Sequence, residues 1–293
     1  MKNLPRLRWI VMIASFIIIV FGAHIFGAIY VDTKLPVLAC GKNLDQFVGS
    51  SCYYLSHINE LFEYRTVQYV IIFFAMFIVG AIIFGRMFCG FVCPMGLFQD
   101  ILYEIRQVLK IKGYTPTEKS YQILRILKYE ILALFLGGAF FGFDFCNICP
   151  AIITSTQFGG IKHNIYIASV AIVVVFIGSF FKRRFWCNIC PMGYLVGLFS
   201  KISIFRLKKD CTACTECRAC YEACPMGIKS IYTEREKEDI TTTNCIMCGE
   251  CVKKCPEDNA IYMSVLNKKF YVSSRFDFFD KNKRNKKKKK KIS

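Results

Sequence analysis

The chain has 293 residues, is 54% apolar and carries a formal charge of +18 at neutral pH. That length allows one helical unit plus a small second domain, and the apolar fraction is above that of ordinary soluble domains. Most of the seventeen cysteines stand two or three residues from the next, which suits metal ligation and argues against a secreted disulfide scaffold. The basic residues gather beside apolar runs and in the tail, which argues against a nucleic-acid surface.

Lys2, Arg6 and Arg8 precede an apolar run from Trp9 to about Tyr30, long enough for about 30 Å of hydrocarbon. The run is too long for the apolar core of a signal peptide, and no small-x-small cleavage site follows it. Leu38-Ala39-Cys40 faintly resembles a lipoprotein cleavage site but lies behind Asp32 and Lys34, outside the run. Further apolar runs cover about Val67–Phe84, about Tyr121–Phe143 and about Ile165–Phe181; the third is solidly apolar only over Ile131–Phe143, with Lys128 and Glu130 read as snorkelling near its start. These runs predict an α-helical membrane bundle of four transmembrane helices over residues 1–205. Basic residues crowd the segment 85–128 and open the segment after the fourth run at Lys182, Arg183 and Arg184. By the positive-inside rule the expected location is the cell membrane, multi-pass, with both termini on the cytoplasmic side. His24 in the first run has two readings: a quinone or haem contact, or a hydrogen bond to a neighbouring helix. Glu130 likewise is either a proton acceptor for a quinol or a helix-end acid.

The chain repeats itself at the ends of these runs. Gly85-Arg86-Met87-Phe88-Cys89 through Cys93-Pro94-Met95-Gly96 is echoed by Arg184-Phe185-Trp186-Cys187 through Cys190-Pro191-Met192-Gly193, and more briefly by Cys146-Asn147-Ile148-Cys149-Pro150. On the expected topology Cys89, Cys93, Cys187 and Cys190 meet at the inner face, either as ligands of a metal or iron–sulfur centre or as buried thiols and labile dithiols. Arg86 and Arg184 then raise that centre's potential or only anchor helix ends at the headgroups. Cys40, Cys52, Cys146 and Cys149 fall at the outer face. They form a second redox centre there, or Cys40 and Cys52 close a disulfide that staples their loop.

The richest stretch is Cys211 to Pro256. Cys214-x-x-Cys217-x-x-Cys220-x-x-x-Cys224-Pro225 is repeated as Cys245-x-x-Cys248-x-x-Cys251-x-x-x-Cys255-Pro256, the spacing of a bacterial two-cluster ferredoxin. Three close thiolates hold three irons of one 4Fe–4S cube, and the distant cysteine before proline takes the fourth iron of the other. One cluster is thus expected on Cys214, Cys217, Cys220 and Cys255, the other on Cys245, Cys248, Cys251 and Cys224. The alternative is a pair of structural zinc sites, which normally use paired Cys-x-x-Cys motifs. Cys211 fits neither frame and is read as a spare thiol. The reading gives an α+β two-cluster ferredoxin domain over 206–266 and a basic, disordered tail over 267–293, ending in Lys286–Lys291.

Together, the four spans, the Cys-Pro motifs at Cys89/Cys93 and Cys187/Cys190 and the C-terminal double motif resemble the NapH-type membrane polyferredoxins, with which NosR and CcoG-like proteins share these parts. The resemblance covers roughly residues 65–265. It implies a protein that passes electrons between the quinone pool and redox partners. The chain departs from the pattern in having two residues, not three, between Cys187 and Cys190, and in carrying Cys40 and Cys52. No Ser-His-Asp set and no phosphate-binding glycine loop is present in the sequence, so the expected role is that of an electron conduit within a multi-subunit redox complex. Its expected partners are the membrane and quinone or a redox protein, without nucleic acid. A redox-active assembly or metal-handling factor of the CcoG-like type is the alternative, and a membrane redox sensor a third reading.

Overall fold

The computed structural model describes residues 4–26, 71, 75, 77–111, 118–141, 165–276 and 278. The helical part contains α1 (Leu4–Phe26), α2 (Met87–Phe91), α3 (Pro94–Val108), α4 (Glu118–Phe141), α5 (Ile165–Phe181) and α6 (Pro191–Phe199). Residues 77–84 are helical too. α3 packs between α1 and α5, and α4 packs on α6. α3 buries polar groups together with apolar ones: Gln99, Asp100 and Arg106 are buried beside Met95 and Leu97, while Ile101, Ile105 and Val108 are exposed. An apolar stripe normally turns inward. Here the interior also offers guanidinium groups, and the polar residues of the buried face meet them.

The second part is built on a three-stranded antiparallel sheet of β1 (Phe205–Lys209), β2 (Ile261–Val265) and β3 (Lys268–Val272), in that spatial order. Leu207 stands opposite Met263, and both are fully buried. The β2–β3 hairpin turns on Leu266 and Asn267, both at positive φ, the geometry that matches strand twist in a two-residue turn. Three short helices, α7 (Ala219–Glu222), α8 (Ser230–Thr233) and α9 (Glu250–Lys254), carry the cysteine loops against this sheet. One hydrophobic cluster joins Leu207, Ile231, Ile246 and Met263 to Leu4 and Phe91. The core therefore continues from the sheet into the helical part without a break at residue 206.

Among the described residues no helix is both long and apolar enough to cross a membrane, which overturns the expected bundle of four transmembrane helices. The physical reasons are local. The first turns of α1 are an internal packing surface, with Leu4, Arg8 and Met12 buried. α4 begins with a polar half, and Lys128 does not snorkel: it is buried and donates to Asn244 Oδ1 at 3.0 Å. α5 is uncharged and is described over 17 residues, about 26 Å at 1.5 Å per residue.

Candidate metal centres

The loops Cys214–Cys220 and Cys245–Cys251 share one backbone path. Glu216 and Arg218 in the first, and Met247 and Gly249 in the second, occupy equivalent places and all have positive φ. Only Gly249 adopts that conformation without cost; the three side-chain-bearing residues are held there by the loop. Successive turns of this kind aim backbone N–H groups at one point and make a cradle for anionic sulfur. Cys220, Cys245 and Cys255 are buried, and the neighbouring backbone N–H groups of Tyr221, Met247 and Glu257 respectively favour their thiolates. Those of Met226, Gly227 and Ile228 do the same for Cys224.

The cysteines surround two small cavities. Cys224, Cys245, Cys248 and Cys251 line one; Cys214, Cys217, Cys220 and Cys255 line the other. Each therefore takes three thiols from one loop and one from the opposite half. Among the described residues no three His, Cys, Asp or Glu side chains come close enough to share one metal ion. The thiols are instead spread around each cavity, the distribution a four-iron cube needs because each thiolate takes a different iron. Burial pushes the thiols of Cys220 and Cys224 up to about 11 and that of Cys245 up to about 12. Bound iron would offset that cost of ionisation and release the protons.

A third group of cysteines lies between the two repeats of the helical part. Cys93 and Cys190 are the N-caps of α3 and α6, with Pro94 and Pro191 at the first helical position. Proline is suited to that place because its missing N–H would be unpaired there, so these Cys-Pro pairs start helices. The Cys190 sulfur accepts from the Gly193 N–H at 3.4 Å, whereas at Cys93 the Gly96 N–H donates to the backbone carbonyl at 3.0 Å and the side chain caps nothing. Burial, helped by the fields of Cys89 and Cys187, pushes the Cys93 thiol up to about 12. Cys190 is pushed well up by burial and then by Cys89, Cys187 and Cys93. All four thiols therefore sit within one another's field.

Two buried arginines cross between the repeats. Arg86 donates to the Cys187 carbonyl at 3.2 Å and packs against Gly193; Arg184 donates to the Cys89 carbonyl at 2.8 Å and packs against Gly96. Each repeat thus lends its arginine to the other's cysteine turn. The sulfur of Cys187 has Gln99 Nε2 at 3.7 Å and Arg184 Nη1 at 3.9 Å. Behind it, Arg8, Arg183 and Arg184 converge on Asp100, and Arg8 and Arg183 also reach Glu250 in α9. Four arginines here, counting Arg86, face two carboxylates. Buried charge calls for compensation, and a dianionic centre on four thiolates would supply it.

This group abuts the Cys245–Cys251 loop. A Cβ on Gly90 would lie 2.3 Å from the Ile246 carbonyl oxygen, and Arg86 donates to the Thr243 carbonyl at 2.9 Å. The crossed arginines and the Gln99 contact were not foreseen from the sequence. Their signal was the recurrence of Arg three residues before the first cysteine and of Gly two residues after the proline in both repeats. Cys211 lies outside both cavities, 4.0 Å from the Lys237 carbonyl oxygen. Glu130 is exposed on α4. Cys40, Cys52, Cys146, Cys149, the side chain of His24 and residues 279–293 of the tail lie outside the described residues, and the expected start of a disordered tail at residue 267 is corrected by β3, whose Lys268–Val272 pairs with β2 inside the sheet.

A family model for a 4Fe–4S binding domain matches the chain twice, at residues 66–112 and 164–210, the two segments that hold Cys89/Cys93 and Cys187/Cys190. A model for a 4Fe–4S dicluster domain matches residues 206–256. Among curated proteins, the uncharacterised protein MJ0750 of Methanocaldococcus jannaschii is 31% identical over 72% of this chain and 87% of its own length. The ferredoxin-type protein NapH of Haemophilus influenzae is 25% identical over 67% of this chain and 65% of its own. The methylamine utilization ferredoxin-type protein MauN of Methylorubrum extorquens is 29% identical over 48% of this chain and 47% of its own. No solved structure is significantly similar.

Proposed function

The chain belongs to the NapH-like family of ferredoxin-type iron–sulfur proteins, and we propose that it relays electrons between the quinone pool or a membrane-bound partner and a redox partner protein. In this reading Cys245, Cys248, Cys251 and Cys224 hold one 4Fe–4S cluster, Cys214, Cys217, Cys220 and Cys255 a second, and Cys89, Cys93, Cys187 and Cys190 a further centre. Such clusters, when bound, supply one-electron storage at potentials tuned by charge and by hydrogen bonds to sulfur. The chain's own residues provide the rest. Gly90 and Gly197 allow the repeat and the cysteine loop to touch at backbone distance. Arg86 and Arg184 place positive charge beside the third group, and Asp100 fixes Arg184 in position. The exposed apolar residues of α1, α4 and α5, among them Ile10, Ile126 and Val173, support a working place against the cytoplasmic side of the cell membrane or against an apolar partner subunit.

The observation that carries this reading is the crossed arrangement of cysteines around the two cavities. Cys255→Ser should therefore damage the site of Cys214, Cys217 and Cys220, although Cys255 follows the other loop in sequence. EPR of the anaerobically purified, reduced protein should lose one cluster signal and keep the other. Loss of the signal that depends on Cys245, Cys248 and Cys251 instead would overturn the ligand assignment.

A further inference from the structure

Lys182 follows α5 directly, and its N–H donates to the Gly178 carbonyl at 2.8 Å, so the last turn of that helix fixes its backbone. A lysine at such a place ordinarily answers the helix's own carbonyls or reaches water. Lys182 does neither. It is 8% exposed, and its Nζ is shut off from solvent without a hydrogen-bond partner. The ammonium lies instead on the face of Tyr121, 3.8 Å from the ring centre. That ring rests on Gly227, where a Cβ would come within 2.1 Å of it. Gly227 in turn donates its N–H to the Cys224 carbonyl at 3.2 Å. A stack of ammonium, ring and turn therefore runs from the helical part to the crossover thiol of the Cys245–Cys251 cavity, and Lys182 and Cys224 border one cleft.

A desolvated ammonium is costly without an anion beside it, and the carboxylates bordering that cleft do not supply one. Glu250 is held by Arg8 and Arg183, and Glu222 is exposed. Burial disfavours the Lys182 charge, and the Cys224 thiolate is what favours it. Bound iron keeps its cysteines as thiolates, so the anion that Lys182 lacks is the one a loaded cavity provides. The Cys214 cavity has no counterpart. Its charged lining residues are Glu216, Arg218 and Glu257, the first two exposed and the third half-buried.

We propose that Lys182 sets the reduction potential of the cluster that Cys224 joins, its buried positive charge favouring the electron that the cluster gains. Potentials of such clusters follow net charge, and a charge sealed from water is screened little. Lys182 takes part by charge alone, and the electron comes from the donor. The inference rests on the cluster reading above.

The test is a dithionite titration of anaerobically purified full-length protein followed by EPR, with iron measured in parallel. The signal to follow is the one that Cys224→Ser abolishes; the one that Cys255→Ser abolishes is the internal control. In Lys182→Met the first midpoint should fall by about 60 mV or more, a tenfold loss in the equilibrium of a one-electron couple, while the control signal stays in place. Lys182→Gln, which keeps a polar group without the charge, should shift the same way, so a packing fault in one variant does not decide the outcome. Lys182→Arg should keep the wild-type midpoint. An unmoved midpoint in both neutral variants overturns the proposal. So does an equal shift of both signals, or a fall in Lys182→Arg as large as that in Lys182→Met. Loss of the Cys224 signal and its iron in both neutral variants would make Lys182 a structural prop and overturn the tuning role. Wild-type protein without either signal would overturn the cluster reading and this inference together, whereas two wild-type signals that the neutral variants leave unmoved overturn this inference alone.

Discussion

Asp100 is fully buried and accepts from three guanidinium groups: Arg184 at 2.6 Å, Arg183 at 2.9 Å, and Arg8. Burial opposes its ionisation, but Arg184, Arg183 and Arg8 outweigh it and hold the carboxyl well below the ordinary carboxylate range. The sign follows from that. Asp100 contributes stability that is present above the unfolded carboxylate value of about 3.9 and is lost as pH falls from there through the depressed folded value. The thermal midpoint of the wild type should therefore exceed that of Asp100→Asn at about pH 6, and the gap should narrow toward about pH 3; a gap independent of pH would show that the carboxylate is not held ionised by the arginines. The crossed arginines differ in kind. Arg184 is paired with Asp100, so Arg184→Met breaks a buried charge pair and should cost about 3–5 kcal/mol. Among the described residues Arg86 donates to carbonyl oxygens and meets no carboxylate, so Arg86→Met should cost about 1–3 kcal/mol, read from urea midpoints. Its larger effect should be electrical. Losing a positive charge beside Cys187 makes reduction of a centre there harder, so the midpoint potential of the third EPR signal should fall in Arg86→Met.

The cysteine loops were the most legible elements, because their spacing is set by ligand geometry and repeats within the chain. Both cavities gather the sets that the spacing groups. The positive φ of Glu216, Arg218 and Met247 could be read only by analogy with Gly249, since those residue types carry no left-handed signal of their own. The helices were misread for a different reason. An apolar run looks the same whether lipid or protein covers it, and the sequence of α1 does not reveal that Arg8 will reach across to Asp100. Likewise Lys128 reads as a snorkelling side chain until Asn244 is brought beside it by the fold. Arg86 and Arg184 looked like membrane-end anchors because their partners lie in the opposite repeat, far off in sequence. The junction of the two parts rests on close backbone approach at Gly90. Gly90→Ala must move either α2 or the Cys245–Cys251 loop, because the obstructing atom is a carbonyl oxygen and cannot rotate aside. The expected cost is about 1–3 kcal/mol, with protection of the Ile246 and Met247 amides lost in hydrogen exchange before that of the β1–β2 ladder. Unchanged protection there would mean that the two parts do not depend on this contact.

Across the whole molecule the three cysteine groups adjoin one another in a series. The Cys89 group meets the Cys245 loop through Gly90 and Ile246, and the Cys245 loop meets the Cys214 loop through α7 and α9, which pack together. This order makes iron content a test of the whole arrangement. Two cubes in the sheet domain alone give about 8 iron atoms per chain, and a third cube between the repeats brings the total to about 12. The expectation is about 12 for the wild type and about 8 for the variant with Cys89, Cys93, Cys187 and Cys190 all changed to Ser. The variant should keep both remaining EPR signals, because their ligands come from the other loops. Serine in place of four buried thiols costs little volume, so lost iron with an intact far-UV spectrum would report on ligation rather than on unfolding. A mononuclear site would lower the wild-type figure to about 9, and ligation of a single ion would then replace the cube in that group. Equal iron in wild type and variant would reduce the four to packed thiols. The two uncompensated arginine charges would then need a different counter-anion, and the relay would end at the Cys245 loop.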